Sequence, residues 1–133
     1  MKVGGQAYRT IWLKAGDERV VQVIDQQRLP HAFEVQDLRT ADDMCRAIRD
    51  MTVRGAGLIG AAAAFGMYLA SLQAHDSGFD DAMTRAGAAL QATRPTAANL
   101  AWAVARMHAA MAMGRTPEDK RTLARREAQA IAD

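Results

Sequence analysis

Hydrophobic and polar positions alternate in the first part of the chain, as they do in β-strands. Residues 9–14 and 19–24 are rich in Ile, Trp and Val, and the Ala-Gly-Asp sequence at 15–17 between them predicts a hairpin turn. Residues 33–38 alternate apolar with polar side chains and add a third strand. The pattern predicts a small antiparallel β-meander of about three strands.

From Thr40 onward the apolar residues recur at helical spacing. Thr40, followed three residues later by Asp43, resembles a capping box, which opens a first helix that ends near Asp50. The apolar residues placed on one face of this helix are Met44, Ala47, Ile48 and Met51.

Four further helices follow from start and stop signals. The second runs from about residues 55–57 to 74, and the third covers 79–92. Pro95 suits the first position of a fourth helix that reaches about residue 113, and a fifth begins after Thr116 and continues to the last residue. The predicted fold is therefore α+β, with a small meander followed by about five α-helices in one domain, residues 1–133.

The second and fourth predicted helices are crowded with alanine and lack charge over most of their circumference. Such helices must be covered all round, and one domain has little material to cover both. We therefore expect a partner subunit, as in a homodimer, or a second domain to cover part of their surface. Small residues on them allow close backbone approach: Gly60, Ala64, Ala98 and Ala101.

Composition agrees with a single globular domain and argues against a membrane span. The chain has 133 residues, of which 50% are hydrophobic and 24% charged. Residues 55–74 carry no charge, but alanine and glycine dominate them and supply little insertion energy, so we predict a buried helix. The single thiol of Cys45 cannot form an internal disulfide, and without a signal peptide this favours the cytoplasm.

The basic residues do not form a nucleic-acid-binding pattern, although the pI is about 9.0. Net charge is only +2, and the densest basic cluster contains Lys120, Arg121, Arg125 and Arg126. Acidic residues are interleaved with it, which is typical of a solvated helix face. No nucleic-acid partner is predicted.

Two arginines at predicted helix starts are candidates for binding an anion. Arg54 precedes Gly55 and Gly57 where the second helix begins, so main-chain N–H groups, the helix dipole and a guanidinium would face the same anion. Arg94 stands before the fourth helix between two threonines. A second interpretation remains open on spacing alone: the glycines relieve backbone strain and both arginines are solvated.

The other reactive side chains have no catalytic or metal-binding pattern. Cys45 follows the apolar stripe of the first helix with no histidine near it in sequence, which indicates a structural thiol. The three histidines, His31, His75 and His108, lack the spacing of metal ligands. No metal site is predicted.

Four segments of the chain resemble the methylthioribose-1-phosphate isomerase family. They are Arg-Thr-Ile-Trp at 9–12, Val-Ile-Asp-Gln at 23–26, the stretch from Ala-Ile-Arg-Asp to Arg-Gly-Ala at 47–56, and Thr-Arg-Pro-Thr-Ala-Ala-Asn-Leu at 93–100. Their order and spacing match from about Tyr8 to the last residue. The wider family includes ribose-1,5-bisphosphate isomerases and regulatory subunits of the eukaryotic initiation-factor nucleotide exchanger.

The resemblance implies the amino-terminal, substrate-binding domain of a two-domain enzyme that converts the aldose methylthioribose 1-phosphate into a ketose in methionine salvage. It places the sugar phosphate on Arg54, Gly55, Ala56 and Arg94 and implies no cofactor. The family's catalytic cysteine and aspartate belong to a carboxy-terminal Rossmann-like domain, and no residue of this sequence matches them. This chain alone is therefore expected to be inactive.

One position departs from the pattern that the isomerases share. Gly57 stands where a proline is usual, and some ribose-1,5-bisphosphate isomerases are similar to this sequence at that position. Two alternatives to the methylthioribose enzyme therefore stay open: a ribose-1,5-bisphosphate isomerase, and a non-catalytic module that dimerises or regulates.

Overall fold

The computed structural model describes residues 2–3, 6–7, 10–25, 34–53 and 55–132, with the main chain alone for 2–3, 6–7 and Ala56. The elements within this part of the chain are β1 (Lys2–Val3), β2 (Gln6–Ala7), β3 (Ile11–Lys14), β4 (Asp17–Ile24), β5 (Val35–Leu38), α1 (Ala41–Arg49), α2 (Ala56–Gln73), α3 (Phe79–Thr93), α4 (Ala98–Met111) and α5 (Pro117–Ala132). The predicted α+β class is confirmed.

The predicted meander is present as the antiparallel sheet β3-β4-β5. Val21 in β4 faces Leu13 in β3 and Leu38 in β5, which sets the register of all three strands. Gly16 adopts a φ of 81° in the turn between the first two strands, a conformation that costs glycine little. The short antiparallel pair β1-β2 was not predicted.

A row of polar contacts crosses the sheet. Trp12 Nε1 donates to Gln22 Oε1 at 2.9 Å, and Gln22 Nε2 donates to Asp37 Oδ1 at 2.7 Å. Lys14 Nζ completes the row at 3.2 Å from Asp37 Oδ2. The hydrogen bond from Gln22, followed by that from Lys14, lowers the pKa of Asp37, so the folded state favours its carboxylate form.

Helix α1 begins with the predicted capping box. The hydroxyl of Thr40 accepts from the N–H of Asp43 at 3.0 Å, and the carboxylate of Asp43 accepts in return from the N–H of Thr40 at 3.2 Å. Burial acts to raise the pKa of Asp43, but hydrogen bonds from the N–H groups of Arg39 and Thr40 outweigh it, and the pKa is lowered. The prediction for Met51 was wrong: it lies beyond the helix with a φ of 63° and is 42% exposed.

Helix α2 is the centre of the molecule and packs against the other four helices. Its residues 59–71 are all buried. The expectation that both alanine-rich helices need outside cover is therefore wrong for α2, because α1, α3, α4 and α5 enclose it. None of the helices in the described ranges combines the length and hydropathy needed to cross a bilayer.

Helix α4 begins three residues later than predicted. Pro95 is not its first residue; it lies in a turn in which the N–H of Ala97 donates to the carbonyl of Arg94 at 3.0 Å. Proline suits the second position of such a turn as well as the start of a helix, so the local sequence fits both structures. Arg94 therefore lies in the turn that precedes α4 and is not part of that helix.

Candidate functional site

The junction between α1 and α2 turns back on the end of α1 through main-chain hydrogen bonds. The N–H groups of Met51 and Val53 donate back to the carbonyls of Ile48 and Ala47, at 3.3 and 3.2 Å. Thr52 and Val53 are buried. Gly55 then adopts a φ of 94°, which an L side chain rarely tolerates. A glycine is therefore required at the residue where α2 begins.

The first turn of α2 leaves its N–H groups free of a side-chain cap. Gly55 is the N-cap residue and makes no side-chain cap hydrogen bond, and no acidic residue occupies the first turn. The uncompensated N–H groups and the helix dipole give this end a positive potential. This is the end of α2 at which the sequence predicts an anion.

Gly57 is exposed, and a Cβ atom added to it would meet nothing within 4 Å. Its φ is not positive, so neither packing nor backbone strain requires glycine at this residue. The structure therefore does not explain why glycine stands here, where the resemblance implies a proline.

Arg94, which is distant in sequence, contacts the end of α1 just before this junction. Its Nη2 donates to the carbonyl of Ile48 at 3.3 Å, across 46 residues of chain. Arg94 is half-buried, so its side chain is only partly in contact with solvent. A guanidinium has five N–H donors, and this bond to Ile48 uses one of them.

Arg54, the other predicted arginine, lies outside the described residues, and for Ala56 only the main chain is described. The structure therefore brings Arg94 to the last turn of α1, where the junction starts, while its distance from Gly55 and the position of the Arg54 guanidinium stay predictions. A shallow depression beside Arg94 is lined mostly by apolar side chains, among them Ala88, Ala97 and Leu100.

The single thiol is not part of this site. Cys45 is only 3% exposed within the apolar face of α1. Burial raises its pKa, which keeps the thiol protonated and unreactive. The structural role predicted for Cys45 agrees with this environment.

Comparisons with known proteins place the chain in a family. Residues 52–133 match the Initiation factor 2 subunit family. The methylthioribose-1-phosphate isomerase of Methylorubrum extorquens is 53% identical over 135 positions, which cover 100% of this chain and 35% of that protein.

Two solved structures share the fold. The 5-methylthioribose 1-phosphate isomerase of Pyrococcus horikoshii has a TM-score of 0.85 and 34% identity, covering 95% of this chain and 36% of that one. The delta subunit of translation initiation factor eIF-2B from A. fulgidus has a TM-score of 0.85 and 33% identity, covering 94% and 36%. The chain spans about a third of the length of the curated relatives it matches. The resemblance inferred from the sequence is confirmed.

Proposed function

We propose, because this chain belongs to the initiation factor 2 subunit family, that it is the amino-terminal, substrate-binding part of a sugar-phosphate isomerase. The observation that carries the proposal is the hydrogen bond from Arg94 to the carbonyl of Ile48, which joins the Arg-Pro-Thr turn to the last turn of α1, just before the junction that leads to α2. A phosphate seated there would accept from main-chain N–H groups at Gly55–Gly57 and from guanidinium N–H groups.

The substrate we propose is methylthioribose 1-phosphate, with Arg54, Gly55, Ala56 and Arg94 holding its phosphate. Relatives that bear the name of this isomerase support the choice. The apolar depression beside Arg94 supports it too, because a methylthio group requires apolar surface and a second phosphate does not. Conversion to the ketose requires an acid and a base that these residues do not supply, so we expect no turnover from this chain alone.

Calorimetric titration with methylthioribose 1-phosphate tests the site. We expect Arg94→Ala to weaken binding by about ten- to hundredfold, because charge-assisted hydrogen bonds to a phosphate are lost. Arg85→Ala is the matched control, since Arg85 is an exposed arginine on α3. Equal affinity in the wild type and the Arg94 variant would remove the site assignment.

The same titration with ribose 1,5-bisphosphate separates the two isomerase functions. Tighter binding of the bisphosphate than of methylthioribose 1-phosphate would identify the alternative enzyme. Binding of neither ligand would favour a regulatory module, a function supported by the similarity to an initiation-factor subunit.

We also propose that the outer face of α4 is covered in the assembled protein, by a second copy or by further domains. Trp102 is 52% exposed in the middle of this face. The other residues exposed along it are Ala98, Ala101, Ala105 and Ala109. A helix face of this kind, apolar and open, is typical of an interface.

Sedimentation velocity measures whether a second copy covers this face. We expect the wild type to form a dimer at micromolar concentration and Trp102→Glu to be a monomer, because a carboxylate there would be desolvated on association. Met113→Glu is the control, since Met113 is 81% exposed beyond the end of α4. A monomeric wild type would exclude the second copy and leave the cover to further domains.

A further inference from the structure

The helices α2 and α4 approach each other closely where Gly60 faces the main chain of Asn99. A Cβ atom added to Gly60, in the second turn of α2, would lie 3.3 Å from the carbonyl oxygen of Asn99, in the first turn of α4. A Cβ contact of 3.0–3.4 Å is tighter than nine in ten such contacts in proteins, so the neighbouring atom must move by a few tenths of an ångström. Only glycine permits this approach without a shift of α4, and the neighbouring atom belongs to the main chain, which cannot rotate away.

A short, hydrogen-bonded path connects this contact to Arg94. The N–H of Ala101 donates to the carbonyl of Ala97 at 3.2 Å, and the N–H of Ala97 donates to the carbonyl of Arg94 at 3.0 Å. The start of α4 is therefore held at two points, by the approach to Gly60 and by the bond from Arg94 to Ile48. Asn99 lies between Ala97 and Ala101 in the chain, so both contacts act on the same short segment.

We propose that Gly60 is a positioning residue for the phosphate site, in that it sets the distance between the start of α2 and the guanidinium of Arg94. This inference rests on the function proposed above. A side chain at Gly60 would move the start of α4 by a few tenths of an ångström and misalign the two groups of donors around the phosphate. Binding is sensitive to displacements of this size, because charge-assisted hydrogen bonds need defined geometry.

Gly66 is the matched control on the same helix. A Cβ atom there would lie 2.9 Å from Leu90 Cδ2 and 3.2 Å from Met44 Cγ. These atoms belong to side chains, which relax by rotation, and the contact does not touch α4. Gly66→Ala therefore disturbs the packing of α2 at least as much as Gly60→Ala but leaves the path to Arg94 unchanged.

Both variants are titrated with methylthioribose 1-phosphate in sucrose, which keeps destabilised variants folded, and their melting temperatures are measured. We expect Gly60→Ala to bind about three- to tenfold more weakly than the wild type, and Gly66→Ala to lose melting temperature with unchanged affinity. Gly60→Ser, with a larger side chain, is expected to bind more weakly still.

Wild-type affinity in folded Gly60→Ala, or an equal loss in Gly66→Ala, would overturn the positioning role. Failure of the proposed function has a different result, in which the wild type binds no sugar phosphate and Arg94→Ala changes nothing. The two failures are therefore distinguished by the wild-type titration.

Discussion

Phe65→Ala is expected to lower the free energy of unfolding by about 4 kcal/mol. Phe65 is 1% exposed in the middle of α2, which the other four helices enclose. Truncation removes the transfer energy of the ring and leaves a cavity that this enclosure prevents from collapsing. A domain of this size has a total stability of about 7–20 kcal/mol, so the variant still folds.

Urea denaturation followed by circular dichroism measures the loss as a lower midpoint at a similar slope. Phe65→Leu is the control, with an expected loss of about 1–1.5 kcal/mol, because its volume is closer to that of the native ring. A loss below about 1.5 kcal/mol for Phe65→Ala would contradict the enclosure of α2 by its neighbours.

Features determined by neighbouring residues could be predicted from the sequence. The capping box of Thr40 and Asp43 is one example, and the start of α5, where the hydroxyl of Thr116 accepts from the N–H of Asp119 at 3.1 Å, is another. In both, the hydrogen bond joins residues three apart, so the residues that decide the structure stand together in the sequence. The hairpin turn at Gly16 is similar.

Structural features that depend on contacts between residues far apart in sequence were predicted wrongly or left open. Pro95 fits a helix start and a turn equally well, and the turn is accompanied by the contact between Arg94 and Ile48, which are far apart in sequence. The enclosure of α2 likewise depends on α5, which the composition of α2 alone does not reveal. The candidate site followed from the family resemblance, because spacing left a solvated Arg94 open.

Arg121 is the clearest case of a side chain whose role is set by a distant element. Its sequence neighbours, rich in both charges, predict a solvated helix face; this holds for Glu118 and Arg126 but is wrong for Arg121. The side chain is 17% exposed. Its Nε donates to the carbonyl of Ser71 at 2.7 Å, and its Nη2 donates to the carbonyl of Ala74 at 2.8 Å. Arg121 therefore caps the carboxyl end of α2, where carbonyls lack helical partners.

Two further contacts hold the guanidinium in this position. Its Nη2 also donates to Asp76 Oδ1 at 2.9 Å, and its Cζ lies 5.2 Å from the centre of the Phe79 ring. The charge is favoured at a helix carboxyl end, where the dipole is negative. The guanidinium of Arg121 in α5 thus fixes the carboxyl end of α2, which is opposite to the proposed phosphate site.

Arg121→Ala is expected to lower the free energy of unfolding by about 3 kcal/mol, because two charge-assisted hydrogen bonds to carbonyls at the end of α2 are lost with the packing on Phe79. Guanidinium chloride denaturation measures the change. Arg126→Ala is the control: Arg126 is exposed on the same helix, so its loss should stay within about 0.5 kcal/mol. Equal losses in both variants would show that α5 does not cap α2. Arg121→Lys should retain only part of the stability, since one ammonium cannot reproduce the planar fork that bonds both carbonyls.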